Sequence, residues 1–351
     1  MLVSLCVIAF NEEDFLGGLF EDIKAQTYNH KGIELVLVNN GSNDKTKEIM
    51  ERFATDNDFY SVKVVNREKG NQAAGWNTAL LNVSGDIIIK VDAHAKIPDN
   101  FVEASVNGIN SGESVCGGGR PNLPVKDKPW DNTLLVAEEC MFGGGFARYR
   151  NVQQSKQYIN SIYHGAYRAE VFARVGGFNE ALGRTEDNEF HHRLTQAGYK
   201  ICCMPDIISY QYIRASLPGM LKQKYSNGFW IGLTLKKYPK CLSLFHLVPM
   251  VFVLALLVCI LFALAGFNLF LFMLTAMYLL FDAYITINAL KSEKRCAHFA
   301  VLPFIFPALH IVYGVGTIVG IIHLPIRKDN LNRAKKRIRE VKKYYLERVD
   351  K

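Results

Sequence analysis

The chain has 351 residues, 49% of them apolar, which is more than one average domain needs, so a globular core plus a further part is expected. Its net charge of +8 lies almost wholly at one end, because residues 327–351 hold eleven Lys and Arg against four Asp and Glu, a surplus of seven. A body so close to neutrality argues against nucleic-acid binding, and the basic end reads instead as a partner for anionic lipid headgroups.

From the start of the chain, short apolar runs alternate with amphipathic ones. Strands are expected at 2–10, 33–38, 61–65 and 86–91, with helices between them at 12–26, 44–53 and 72–81. This alternation builds a parallel, doubly wound α/β sheet, with ligands at the carboxyl ends of the strands. Between 122 and 160 the pattern loosens around the glycine-rich "MFGGGFARYR", and it returns with "YHGAYR" and the segments that follow. Residues 215–240 interleave Lys222, Lys224, Lys236, Lys237 and Lys240 with Leu221, Tyr225, Phe229, Trp230 and Leu233. That mixture suits helices lying in a membrane interface, with a buried connector helix as the alternative.

Residues 244–265 and 267–290 are each long enough to cross a hydrocarbon core of roughly 30 Å. The turn between them, at Gly266 and Asn268, is uncharged, and the basic flanks "KQK", "KKYPK" and "KSEKR" place both outer ends in the cytoplasm. A third apolar stretch, 298–324, would carry the basic tail outside if it crossed once. Pro303 and Pro307 interrupt its beginning, so a re-entrant or interfacial hairpin is expected. The first residues, "MLVSLCVIAF", lack a basic n-region and reach Asn11-Glu12-Glu13 after about ten residues, so they do not read as a signal peptide. The expected plan is a cytoplasmic domain at 1–214, interfacial helices at 215–243, a membrane region at 244–324 and a basic cytoplasmic tail at 325–351, in a multi-pass protein of the inner (plasma) membrane. The eight scattered cysteines show no CxxC spacing and read as buried, reduced thiols.

The first chemical signal is "GDIIIKVDAHAKIP". A buried strand delivers Asp92 and His94, two residues apart, at its carboxyl end, and on an extended segment both would point to one side. Carboxylate and imidazole together suit a divalent cation of the Mn²⁺ type. Taken alone, the pair fits a loop aspartate and a surface histidine just as well.

The order of motifs adds to this. "VIAFNEE" closes the first strand, "LVLVNNGSND" the second, and "EKGNQAAGWNTAL" precedes the strand that ends in "VDAHA". In this order the chain resembles family 2 glycosyltransferases of the GT-A fold, and "VDAHA", "YHGAYR", "VGGFNE" and "EDNEFHHRL" look like the transferases of succinoglycan-type exopolysaccharide assembly. The likeness covers about residues 2–240. It implies that Ala9, Phe10, Asn11 and Glu12 border the nucleotide, that Gly70 and Asn77 lie near the donor, and that Asp92 and His94 stand for the metal-binding DxD element, with Asp92 also touching the donor. Asn39 and Asn40 stand where the family usually has aspartate; they are expected to face the donor base, to which an amide can still hydrogen-bond. Asp44 is expected to cap the following helix.

The resemblance assigns "RTEDNEF" the catalytic Glu186-Asp187 pair, with Asp187 as the base that takes a proton from the acceptor hydroxyl; read from the residues alone, Thr185 is an N-cap and the two acids are favoured in a first turn. His164 and Gly165 resemble the floor of an acceptor pocket, with a structural histidine as the alternative, and Arg193 is expected to pair with Glu189 at i,i+4. Gln223 and Trp230 loosely match the family's Gln-to-Trp segment, which adds Trp230 to the acceptor side. The expected activity is inverting, Mn²⁺- or Mg²⁺-dependent transfer of a hexose from a nucleotide sugar, UDP-glucose first, to a polyprenyl-linked saccharide at the membrane. The rivals are a processive polysaccharide synthase, a polyprenyl-phosphate glycosyltransferase, and an inactive scaffold of an export complex.

Overall fold

The computed structural model describes every residue except 69, 141–149, 293–294 and 350–351, so most of "MFGGGFARYR" and the centre of "KSEKR" lie outside the described residues. The chain divides into two compact units, one of Met1–Pro121, Arg148–Gln211 and Ile326–Lys351, the other of Asn122–Ala147 and Tyr212–Pro325.

The four expected strands are present within one residue at each end, as β1 (Val3–Ala9), β2 (Ile33–Asn39), β3 (Ser61–Asn66) and β4 (Ile87–Asp92). The rest of the first unit adds β5 (Ala95–Lys96), β6 (Val115–Gly119), β8 (Gln157–Ile159), β9 (Ala166–Arg168), β10 (Ile201–Ile208) and the start of β11 (Tyr210–Tyr212), while β7 (Asn122–Leu123) belongs to the second unit. The main sheet runs β3-β2-β1-β4-β9-β6-β10-β8. β9 is antiparallel to both β4 and β6, with Ile89 opposite Ala166, so the segment just before β9 runs alongside the end of β4.

The sheet is covered on both faces, as an apolar parallel sheet requires. Along β1, Val3, Leu5 and Val7 pack with α1 (Glu13–Lys24), α2 (Thr46–Thr55) and α4 (Phe101–Asn110), whereas Cys6 and Ile8 pack on the other face with α3 (Gln72–Leu80), α6 (Ala169–Val175) and α7 (Glu186–Gln196). That second face has one more member. The basic tail forms α12 (Lys328–Val349), whose Val341 and Tyr345 are buried in the same cluster as Trp76, Phe172 and Phe190. An amphipathic basic helix can turn its apolar stripe to lipid or to protein, and here the stripe is covered by protein.

The second unit holds α5 (Pro129–Glu139), α8 (Leu217–Leu235), α9 (Val248–Leu264), α10 (Leu269–Ala289) and α11 (Leu302–Ile322). Three stretches, Leu244–Leu264, Leu269–Ala289 and Ala297–Ile322, are long and apolar enough to cross a membrane. The expected hairpin in the third is not what forms, because α11 runs unbroken through Pro307. Pro303 sits in its first turn, where a missing N–H costs nothing, and Pro307 forfeits one bond, to the carbonyl of residue 303. Close packing holds the helix: α8 and α11 run parallel with backbones in contact, so that a Cβ on Gly228 would strike the Tyr313 carbonyl and one on Gly320 the Phe229 carbonyl. Lys224 of α8 turns inward, its Nζ 2.9 Å from the Glu138 carboxylate, with both side chains about nine-tenths buried.

Lys224→Met should therefore strand Glu138 as an uncompensated charge and lower stability by about 3–5 kcal/mol, read as an earlier melting transition in detergent, and adding Glu138→Gln should recover most of the loss.

Candidate active site

Strand β4 crosses the sheet centre as "IIIKVD", buried throughout. Isoleucine and valine suit a strand covered on both faces; a lysine does not. Lys90 is 3% exposed. Its ammonium lies 2.7 Å from Asp187 Oδ1 and 4.6 Å from the ring centroids of both Trp76 and Phe178. One opposite charge and two aromatic faces offset the cost of removing the ammonium from water.

Asp187 stands in the first turn of α7, after Thr185 at the N-cap position and Glu186 at the first helical one. The two acids have different surroundings. Asp187 is 24% exposed. Glu186 is 2% exposed with one carboxyl oxygen lacking a partner; burial, and then the neighbouring Asp187 charge, push its pKa up to about 8. At neutral pH Glu186 therefore keeps its proton, and Asp187 is the accessible carboxylate of the pair.

β4 ends at Asp92, and Ala93 and His94 make a tight turn before β5. The strand alternation that was expected to align Asp92 and His94 thus stops at Asp92, and a hydrogen-bond network joins them instead. His94 Nε2 accepts from the Gln211 amide at 2.9 Å, that amide also donates to the Tyr163 hydroxyl at 2.5 Å, and the hydroxyl is hydrogen-bonded to Asp92. Gln211 gets its place from the antiparallel pairing of β11 with β5, opposite Ala95, and its carbonyl accepts from Arg120.

On the other side of the ring, His94 Nδ1–H donates to Glu12 Oε1 at 2.9 Å. A carboxylate thereby fixes the tautomer that leaves Nε2 as the lone-pair nitrogen, the arrangement that supports metal-binding histidines. Asp92 and His94 fit a divalent cation in donor chemistry, and a cation at Nε2 would take the place of the Gln211 hydrogen bond. Among the described residues no group of three or more His, Cys, Asp and Glu could hold a cation alone, so the other ligands would come from a bound diphosphate and water.

Several residues expected to face ligands turn inward. Asn77 is fully buried, its oxygen accepting from Phe178 N and its amide donating to Phe178 O and Glu180 Oε1, so it clasps a loop. Asn40 donates to the carbonyls of Gly70 and Asn71 and accepts from Arg67 at 2.5 Å, while Asn39 donates to Asn66 and accepts from Ser42 N. Gly70 lies against the Arg67 guanidinium, where a side chain would collide with it. His164, expected in an acceptor floor, lies beneath β4: its Nε2 accepts from Asp92 N, its Nδ1–H donates to Ser209 Oγ at 2.8 Å, and burial keeps it neutral. Gly165 gives its carbonyl to Lys90 N and has no room for a side chain beside Ile162 and Tyr167.

Ala9 ends β1 with its carbonyl bonded to Asn40 N, whereas Phe10 and Asn11 are exposed at the carboxyl edge of the sheet. Asn11 adopts φ 55°, which asparagine tolerates, and is pinned by Ser42 Oγ and Asn43 N. Asp44, expected to cap the following helix, lies one residue before its N-cap, Lys45, and accepts from Thr46 N at the helix start and from Glu13 N of α1. Arg193 pairs with Glu189 at 2.7 Å and donates to the carbonyls of Val175 and Gly177. Trp230 lies in the second unit, on α8 beside Phe229. Sequence reasoning passed over Lys90, Tyr163 and Gln211. Only Lys90 left a usable signal, a charge inside an apolar run on the same strand face as Asp92.

The profile of glycosyl transferase family 2 matches residues 4–176. A relative of Methanococcus voltae, dolichyl N-acetyl-alpha-D-glucosaminyl phosphate 3-beta-D-2,3-diacetamido-2,3-dideoxy-beta-D-glucuronosyltransferase, is 25% identical over 91% of this chain and 97% of its own length. Succinoglycan biosynthesis protein ExoA of Rhizobium meliloti (strain 1021) is 28% identical over 64% of this chain and 68% of its own. Among solved structures, the mannosyltransferase PcManGT from Pyrobaculum calidifontis, in complex with GDP-Man and Mn²⁺, superposes with a TM-score of 0.56 at 16% identity, covering 91% of this chain and 86% of that one, which speaks to the fold.

Between pH 4.5 and about 8 the folded protein keeps a proton on Glu186 that the unfolded chain has released, so this group makes stability fall as pH rises through that window. Glu186→Gln should melt above the wild type at pH 8, with the gap closing towards pH 5 in the same detergent.

Proposed function

On the premise that the chain belongs to glycosyl transferase family 2, we propose that it transfers a hexose, with inversion, from a nucleotide-diphosphate sugar to a lipid-linked saccharide at a membrane surface, with glucose from UDP-glucose as the first donor to try. The observation that carries the reading is the convergence, at the carboxyl end of β4, of Asp92 and the Glu12-supported His94 with the more accessible member of the Glu186-Asp187 pair. Asp187 is the base: it accepts the proton of the acceptor hydroxyl as that oxygen attacks the anomeric carbon from the side opposite the diphosphate, help worth roughly 10² to 10⁴ in rate. Lys90 holds Asp187 Oδ1 at 2.7 Å and so fixes which way the carboxylate faces. Asp92 and His94 would hold a divalent cation, which supplies charge neutralisation for the leaving diphosphate. Phe10 and Asn11, exposed at the sheet edge, are the residues of the "AFNE" segment left to meet the nucleotide.

The acceptor reading rests on the apolar helices and on the Methanococcus relative, whose name places a lipid-linked sugar on the accepting side. A soluble active site must be held against an acceptor that cannot leave the bilayer. The chain leaves the first unit after Gln211 and rejoins it at Ile326. With α12 packed there, the intervening helices cross an even number of times. α9 and α10, which expose Leu254, Leu257, Phe270 and Met277, are the crossing pair, and α11, packed along α8, does not cross. That hairpin is short for a polysaccharide channel, which favours addition of one sugar over processive synthesis.

Membranes carrying the protein should release nucleoside diphosphate from one of UDP-glucose, UDP-N-acetylglucosamine or GDP-mannose only with Mn²⁺ or Mg²⁺. Asp187→Asn should abolish release while donor still binds. Asp92→Ala should remove both activity and metal stimulation, and an Asp92→Ala protein still stimulated by Mn²⁺ would exclude the ligand role.

Single cysteines at Asn268 and Lys336 should label from opposite sides of sealed vesicles with an impermeant maleimide; labelling from one side would overturn the hairpin.

A further inference from the structure

Helix α12 comes after the apolar helices in the chain, yet its inner face is built into the unit that carries the site. Two things on that unit receive it. The first is the carboxyl end of α3, whose last carbonyls have no partners within the helix. Tyr345 Oη donates to Leu80 O at 3.0 Å and Tyr344 Oη to Val83 O at 2.8 Å, and the Arg348 guanidinium donates to the carbonyls of Val83, Ser84 and Gly85 at 3.1, 2.6 and 3.0 Å. Tyr345 thus caps the helix that carries Trp76 from 265 residues away, while Tyr344 and Arg348 hold the turn that follows it, at residues 83–85.

The second is the loop at 176–182. Gly176 has φ +76°, and a Cβ there would collide with Ile338 of α12; a Cβ on Gly177 would meet Val341 at 2.8 Å. Arg337 pairs with Glu180 at 3.3 Å, and the same Glu180 carboxylate binds Asn77 of α3. The loop is therefore held between α12 and α3, with Arg193 of α7 taking the Val175 and Gly177 carbonyls. It carries Phe178.

Trp76 and Phe178 are the two rings that flank Lys90, and Lys90 is the partner of Asp187. The braced elements are thus the ones that fix the direction of the reacting carboxylate. We propose that α12 is a positioning element of the transfer site: through Tyr345, Arg348 and Arg337 it sets α3 and the 176–182 loop, and through them Lys90 and Asp187. It touches no substrate. The inference rests on the reading of Asp187 as the base.

The test uses the full chain in membranes, with UDP-glucose, UDP-N-acetylglucosamine or GDP-mannose, whichever the wild type turns over. Tyr345→Phe combined with Arg348→Gln should lower kcat per folded molecule about 10-fold to 100-fold, the scale of a small misplacement of a reacting group, with donor affinity unchanged. Arg348→Lys, which keeps a cationic donor for the carbonyls, should recover part of the loss. Lys335→Gln with Arg339→Gln, both on the exposed face of α12, should leave kcat unchanged.

Unchanged kcat per folded molecule in the inner-face variant overturns the proposal, and so does a loss confined to the exposed-face variant, which would mean that α12 acts through lipid charge. Asp187→Asn is run beside them. Full turnover in that control would sink the base assignment itself, whereas an inactive control with unaffected α12 variants would sink only the bracing role.

Discussion

The site depends on one buried ion pair. Lys90 is the one charge inside the buried apolar run Ile87–Val91, and a lone ammonium there would cost several kcal/mol in desolvation. It is tolerable only if an anion and polarisable faces reach it, and they come from three separate places: Asp187 from the first turn of α7, Trp76 from α3, and Phe178 from the 176–182 loop. These elements have to converge at the carboxyl end of β4 for the strand to be buried at all. The folding requirement and the proposed catalytic one are thus met by the same geometry, two residues before Asp92.

Environment then separates two adjacent acids. Glu186 and Asp187 share a helix turn and differ by one methylene, yet one is sealed and protonated and the other is open and paired with a cation. Helical rotation of about 100° per residue sends neighbouring side chains to different surroundings, so an adjacent pair is a simple way to obtain one buried, protonated carboxyl and one accessible carboxylate.

Much of this was legible in the sequence. Short apolar runs alternating with amphipathic ones located β1 to β4 within one residue and α1 to α3 within two, because the run length and the helical period differ between the two kinds of element. The positions of Asp92, His94, Glu186 and Asp187 at a strand end and a helix start were legible for the same reason. Side-chain direction in the connecting segments was not. Asn77, His164 and Asn40 sit where a ligand-facing residue was expected, but they bond to backbone groups 30 to about 100 residues away, which no local period encodes. α12 failed differently. Its inner stripe, buried Ala334, Val341 and Tyr345 with half-buried Ile338, follows helical spacing and was visible, but a basic amphipathic helix reads the same whether the stripe meets lipid or protein.

The paired asparagines after β2 gave an inactive scaffold its only support in the sequence, since the family usually has aspartate there. Their hydrogen bonds remove that support. Asn40 must donate to the carbonyls of Gly70 and Asn71 while accepting from Arg67, and a carboxylate, which only accepts, would face two carbonyl oxygens with nothing to give them. Asn39 likewise donates to one neighbour and accepts from another. The amides are what this loop needs in order to hold the start of α3, whose Gln72 reaches Asp92 and whose Trp76 covers Lys90. Amides that lock the 70–71 loop onto the helix behind Lys90 and Asp187 build the candidate site and do not dismantle it.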